Sequence, residues 1–228
     1  MLPVLLVTLH LLTQGIWAQR DFKPYFCSEV EECYSSVTVC RDSEYETRTY
    51  KSSVWVGSAV LLTEGRYRAV NRLKDYFNKN NRPGIQIERT APLLTTYLDI
   101  HGRLTATHVY YMLPRRFYTN PPYPRDDTLF LKVFPPMVVH TKMFGGWLTS
   151  LRQKSQDMFE DLLRRREAFL RDRFYTAEYN GPLTFLNRHN EIWFISTGLP
   201  RCSSSRSRYS LQQRYTPASR QLGPGHQR

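Results

Sequence analysis

The chain has 228 residues, with 32 Lys+Arg against 20 Asp+Glu, a formal charge of +12, and 41% hydrophobic and 14% aromatic residues. That length suits one domain with extensions or two small domains, and the apolar content is enough for a packed core, which excludes global disorder. With 11 Gly beside 15 Tyr and 12 Phe, the composition is neither collagen-like nor that of a coiled coil; no apolar run reaches the roughly 18–20 residues a membrane-spanning helix needs.

Leu2 to Leu12 is almost continuously apolar and is followed by Gln14, Gly15 and the small Ala18. This pattern predicts a secretory signal peptide over 1–18, cleaved after Ala18, and so a secreted protein or one in a secretory-vesicle lumen. Residues 1–18 carry no Asp, Glu, Lys or Arg, so cleavage leaves the +12 intact. Cys27, Cys33, Cys40 and Cys202 make an even count. In an exported chain that predicts two disulfides, with three pairings open. The expected arrangement is one local bridge within 27–40 and one long bridge to Cys202. No C-x-x-C or close His pair points to zinc.

After a Cys-bearing lead (19–43), which includes a strand at Val37–Val39, a turn at Arg41–Ser43 leads into a period-two strand at Tyr45–Tyr50. Ser53–Leu61 is rich in β-branched and aromatic residues and reads as the next strand. Thr63 is the expected N-cap of a helix whose apolar face is Val70, Leu73 and Phe77, widened by Ala69 and Tyr76; the helix ends in Asn78–Gly84. Strands are expected at Ile85–Glu88, Leu94–Ile100 and His108–Leu113, then a proline-rich loop over 115–127. Strands at Leu129–Phe134 and Met137–Phe144 follow. Gly145-Gly146 precedes a long amphipathic helix from Leu148 to Phe174, a turn-rich connection and a closing strand at Glu191–Ser196. The rhythm of strands, helix and strands occurs twice, which predicts a duplicated α+β unit with two helices on antiparallel sheet. The tail, 200–228, has six arginines, no acid and few apolar residues. It cannot bury enough surface to offset its ordering entropy, and it is expected to be a disordered basic appendage.

No P-loop, G-x-G-x-x-G, H-E-x-x-H or G-x-S-x-G occurs. The histidines are scattered without ligand spacing, and Asp126-Asp127 sits in the proline loop as turn residues. The sequence therefore predicts neither an enzyme nor a metal site.

Five phrases carry a resemblance: Tyr45-Glu-Thr-Arg-Thr-Tyr50, Arg89-Thr-Ala-Pro92, Phe117–Pro124, Phe144-Gly-Gly146 and Asn187-Arg-His-Asn-Glu-Ile-Trp193. Their order resembles the SOUL (heme-binding protein) family over about residues 35–197. The resemblance implies a monomeric, distorted β-barrel or sheet of about eight strands flanked by two helices, placed here at 44–199. It also implies non-enzymatic binding of heme or another tetrapyrrole in an apolar cleft beside the first helix. In one branch the first phrase carries the proposed axial histidine, and that position is Thr49 here. Two lysines that the family places near the heme carboxylates align with Asp75 and Thr184, while Arg72, Lys74 and Arg188 lie close enough in sequence to substitute. The cofactor-binding candidates are accordingly Tyr67, Val70, Leu73, Lys74, Phe77 and Arg188. The competing reading is an interaction protein, secreted or vesicular, that kept the fold and lost heme. Export argues against a nucleic-acid role, and the tail's charge suits a polyanionic or membrane surface.

Overall fold

A computed structural model describes residues 24–181, 184 and 186–201. The expected signal peptide, Cys202 and the basic tail beyond it lie outside these residues. The chain forms β1 (Glu32–Cys33), β2 (Ser36–Arg41), β3 (Glu46–Tyr50), β4 (Ser53–Ala59), α1 (Gly65–Phe77), β5 (Thr90–Ala91), β6 (Leu93–Ile100) and β7 (Arg103–Met112). Then come β8 (Leu129–Phe134), β9 (Met137–Phe144), α2 (Leu151–Arg164), β10 (Arg173–Glu178) and β11 (Asn190–Ile195). Among the described residues no helix is long and apolar enough to cross a membrane.

Nine strands make one open antiparallel sheet in the order β2-β3-β9-β11-β10-β6-β7-β4-β8, and β1 pairs with β5 in parallel. The predicted duplication is visible in this order. Strands β3 and β4, helix α1 and strands β6 and β7 are repeated by β8, β9, α2, β10 and β11, about a pseudo-twofold between β6 and β10. Each half lends its first strand to the other: β3 pairs with β9, and β8 with β4.

Alternation along the strands divides the core. Val54 and Val56 of β4 face α1, where they meet Ala69, Val70, Leu73, Tyr76 and Phe77, the stripe expected from the helical period. Ile192 and Phe194 of β11 face α2 with Leu151, Met158 and Leu162. Trp55 and Trp193, one residue out of phase, point to the opposite face. There the N-terminal segment plugs the sheet with Cys27, Val30 and Tyr34. Cys27 and Cys33 form the expected local disulfide; the long bridge to Cys202 falls outside the described residues. Gly57 is needed in β4, because a Cβ there would lie 2.7 Å from the Phe130 ring and 2.8 Å from Tyr110.

A polar knot sits inside this plugged face. Glu191 is fully buried and accepts from Arg48 Nη1 (2.8 Å), Trp193 Nε1 (2.6 Å) and Tyr179 OH (3.1 Å), with His189 Nε2 at 2.8 Å. Burial alone would raise its pKa. The His189 bond, the Arg48 charge and the Trp193 bond outweigh burial and hold the carboxyl at about 2, against an ordinary 4.5.

Three sequence expectations are corrected. The second helix starts at Leu151, after the left-handed Ser150, and ends at Arg164, ten residues before Phe174. Its end is a Schellman arrangement: Glu167 N–H donates to Leu162 O (3.0 Å) and Arg166 N–H to Leu163 O (2.9 Å), with Arg166 at φ 57°. Of the residues read as its last turns, 165–172 form a turn and loop, and Arg173 and Phe174 open strand β10, in the middle of the sheet. Residues Ile85–Glu88 form no strand. Ile87 enters the α1 core, with its N–H donating to Phe77 O. The N-cap of α1 is Glu64 rather than Thr63, and it makes no side-chain capping bond; the turn closes instead through Gly65 N–H to Leu61 O, with Gly65 at φ +72°.

Candidate functional site: a cleft beside the first helix

Two adjoining cavities, of about 500 and 480 Å³, run along the side of α1 and share Lys74, Arg89, Thr90, Tyr111 and Gly181. Each lies within the ~300–1,000 Å³ range of small-ligand sites. Amphipathic patterning shapes the helix wall. Val70 and Phe77 show the edge of the buried stripe, while Tyr67 and Lys74 flank it on the solvent side. Leu93 of β6 and Tyr111 of β7 form the floor, and Trp147 and Leu148 stand opposite the helix.

Asn180, Gly181, Thr184 and Arg188 complete the described lining, and the N-terminal disulfide loop holds the first three. Glu29, inside the Cys27–Cys33 loop, accepts from Thr184 Oγ1 (2.7 Å), Asn180 Nδ2 (2.9 Å) and the Gly181 amide (3.0 Å). The Gly181 bond first, then Thr184 and Asn180, keep the Glu29 carboxyl below the usual carboxylate range.

The cleft's charges fall into two kinds. Arg66 is committed: its Nε donates to Thr95 Oγ1 (3.0 Å) and its guanidinium pairs with Glu178. Burial raises the Glu178 pKa, opposed by the charges of Arg66 and Arg188. Arg188 is largely committed. Its Nη1 donates to Gly181 O (2.7 Å) and Thr184 O (3.1 Å), and its guanidinium lies 4.6 Å over the Trp147 ring, a cation–π contact. Its Nε is buried with no hydrogen-bond partner. Lys74 and Arg89 make no ion pair within 4.0 Å among the described residues and leave two cations at the cleft.

Of the six candidates, Tyr67, Val70, Lys74, Phe77 and Arg188 line the cleft together. Leu73 does not: it is fully buried between α1 and the sheet and serves the core. Arg72 points away, bonded to Ser58 Oγ and Ala59 O and paired with Glu64. Asp75 is exposed and lines no cavity described here. Thr184 does line the cleft, but its hydroxyl is given to Glu29. Thr49 lies on β3, between Val37 and Val138, with its hydroxyl toward Val37 O (3.4 Å), away from the cleft lining. Sequence reasoning did not select Glu29, Arg66, Arg89, Tyr111 or Trp147. Arg89 was within reach, since it opens the quoted Arg-Thr-Ala-Pro phrase.

The described lining suits a planar apolar molecule with acidic groups at its edge. Tyr67, Val70, Phe77 and Tyr111 offer apolar contact, and Lys74 and Arg89 offer cations to carboxylates. It is poorly suited to ligating iron. No His, Cys or Met is among the described lining residues, and burial raises the phenol pKa of Tyr111 and Tyr179 and so opposes a tyrosinate ligand. His189 and His140 are buried elsewhere, near Glu191 and Thr47. Among the described residues no group of three or more His, Cys, Asp or Glu is arranged to hold a metal.

Comparison with known proteins identifies the family. The chain is 27% identical over 165 residues to heme-binding protein 2 of Homo sapiens, covering 68% of this chain and 80% of that protein. It is 24% identical over 162 residues to heme-binding protein 1 of Xenopus tropicalis, covering 66% and 83%. Among solved structures, the EcmrR C-terminal domain shares the fold at 13% identity and a TM-score of 0.51, covering 68% of this chain and 99% of that one. The sequence model of the SOUL heme-binding protein matches residues 31–195, spanning the sheet from β1 to β11 and both helices, and the chain belongs to that family.

Proposed function

We propose that this protein is a non-enzymatic, secreted or vesicle-lumen binding protein whose α1 cleft takes a tetrapyrrole, or a similar apolar molecule with carboxylates. One observation carries the reading: an apolar cleft at which the cations Lys74 and Arg89, among the described residues, make no ion pair within 4.0 Å. Heme, when bound, supplies an iron centre. The chain's own residues supply apolar contact from Tyr67, Val70, Phe77 and Tyr111, and carboxylate recognition from Lys74 and Arg89. Since no imidazole or thiolate lines the described cleft, recognition runs through the macrocycle and its carboxylates. Export is supported by the leader pattern and the Cys27–Cys33 disulfide. The six-arginine tail is proposed to hold the protein at polyanionic surfaces.

The test is titration of the mature protein with hemin and with metal-free protoporphyrin, followed by absorbance and by quenching of tryptophan fluorescence. Saturable binding of both with similar affinity is expected, and Lys74→Glu should weaken both by about tenfold or more, the ~1.4 kcal/mol of one charge-assisted contact. No saturable binding of either ligand would favour the competing reading, an interaction protein that kept the fold without the ligand.

A further inference from the structure

The pseudo-twofold that relates the two halves also relates α1 to α2, and α2 has a cavity of its own. Of about 610 Å³, it lies between α2 and the opposite end of the β6–β10 pair. The α1 cleft is built where Leu93 pairs with Glu178, and this one where Leu98 pairs with Arg173. Counted from the helix starts at Gly65 and Leu151, Arg66 corresponds to Arg152, Phe77 to Leu163 and Lys74 to Glu160. All three α2 positions line the second cavity.

The two clefts differ in chemistry. The second has an aromatic floor: Tyr97 stacks on Phe174 with ring centres 5.5 Å apart, and Phe174 lies 5.6 Å from Phe194. Its charges cancel. Arg152 pairs with Asp99 (3.5 Å) and donates to Gly102 O (2.5 Å), and Arg173 pairs with Asp172 (2.5 Å). Arg171 and Glu160 remain, one of each sign. Where the first cleft presents Lys74, the second presents a carboxylate that repels an acidic ligand. An aromatic cavity of this size with balanced charge favours molecules that bring no net charge to desolvate.

We propose that this second cavity is a separate small-molecule site that takes an uncharged apolar ligand and discriminates against the acidic ligands suited to the α1 cleft. The test uses the uncharged fluorophore N-phenyl-1-naphthylamine on the mature full chain. Saturable fluorescence enhancement is expected that saturating protoporphyrin does not displace and that Leu163→Glu weakens by about tenfold. Leu163 is a partly exposed helix residue, and circular dichroism checks that the variant is folded. In a second variant, Glu160→Lys, a cation replaces the repelling carboxylate. It should gain binding of the anionic 8-anilinonaphthalene-1-sulfonate at a site that protoporphyrin leaves free. The proposal is overturned by absence of saturable probe binding, by displacement with protoporphyrin, by an unchanged affinity in folded Leu163→Glu, or by no gain in Glu160→Lys. If protoporphyrin itself fails to bind, the function proposed for the α1 cleft falls while the two variants still decide this one.

Discussion

Replacing Glu191 by glutamine keeps the shape of the buried side chain and removes its charge. In the native protein the carboxylate faces Arg48, His189, Trp193 and Tyr179. A carboxamide has one oxygen to accept with, and its NH2 group would meet donors. The structure gives the size of the effect. The carboxyl is held at about 2 against an ordinary 4.5, and at about 1.4 kcal/mol per pH unit the charged form gains about 3 kcal/mol. Breaking a buried ion pair from one side typically costs ~3–5 kcal/mol; Arg48 keeps Glu46 as a partner at 2.8 Å, which places the loss at the lower end of that range. With a urea m-value of about 2 kcal/mol/M, the midpoint should fall by about 1.5 M with m unchanged. Tryptophan fluorescence reads this directly, since Trp193 is in the network. The pH dependence has a fixed sign. The folded pKa is depressed, so the contribution is complete above the ordinary 4.5 and is lost as pH falls through about 2. A midpoint shift below about 0.5 M at neutral pH would refute the assignment of Glu191 as the charged centre of the knot.

Leu73→Ala should cost about 2–5 kcal/mol in urea unfolding, whereas Tyr67→Ala, at a side chain 74% exposed, should change stability by less than about 0.5 kcal/mol and still weaken porphyrin binding. Glu29→Ala removes the three hydrogen bonds that hold Asn180, Gly181 and Thr184 at the cleft, and stopped-flow release of porphyrin should quicken by about three- to tenfold, at about 1 kcal/mol for such bonds. Deleting 203–228, which spares Cys202, should lower the salt needed to elute the protein from heparin and leave the unfolding midpoint unchanged; unaltered elution would reject the tail as the polyanion contact.

The period-two and 3.6-residue patterns carried most of the fold, because most elements have one buried face. α1 was legible in this way, and so were β3, β4 and β9. β10 was not, since Phe169 and Leu170 continue the apolar spacing of α2, and the helix stops at a left-handed Arg166 rather than at the glycine that usually marks such an end. Buried Glu167 takes part in this turn, with Tyr45 OH donating to it at 3.0 Å, a partner 122 residues away in the chain. The site was half legible for the same reason. Tyr67, Val70, Lys74 and Phe77 lie on one helix face, so spacing groups them. Leu73 shares that periodicity but faces fully inward. Glu29, Arg89 and Trp147 reach the cleft from separate loops, and no local pattern relates them.

The strand order also constrains how the chain is made. β10 and β11 come last among the strands, yet they lie between β9 and β6 at the centre of the sheet. A nascent chain that has emerged only as far as α2 holds two partial sheets whose facing edges, β9 and β6, await the strands that will join them. Non-local pairing of this kind is slow and leaves unpaired edges open to aggregation. Productive assembly is therefore expected to be post-translational, and stalled or truncated chains that lack residues 173–195 to be strong chaperone clients.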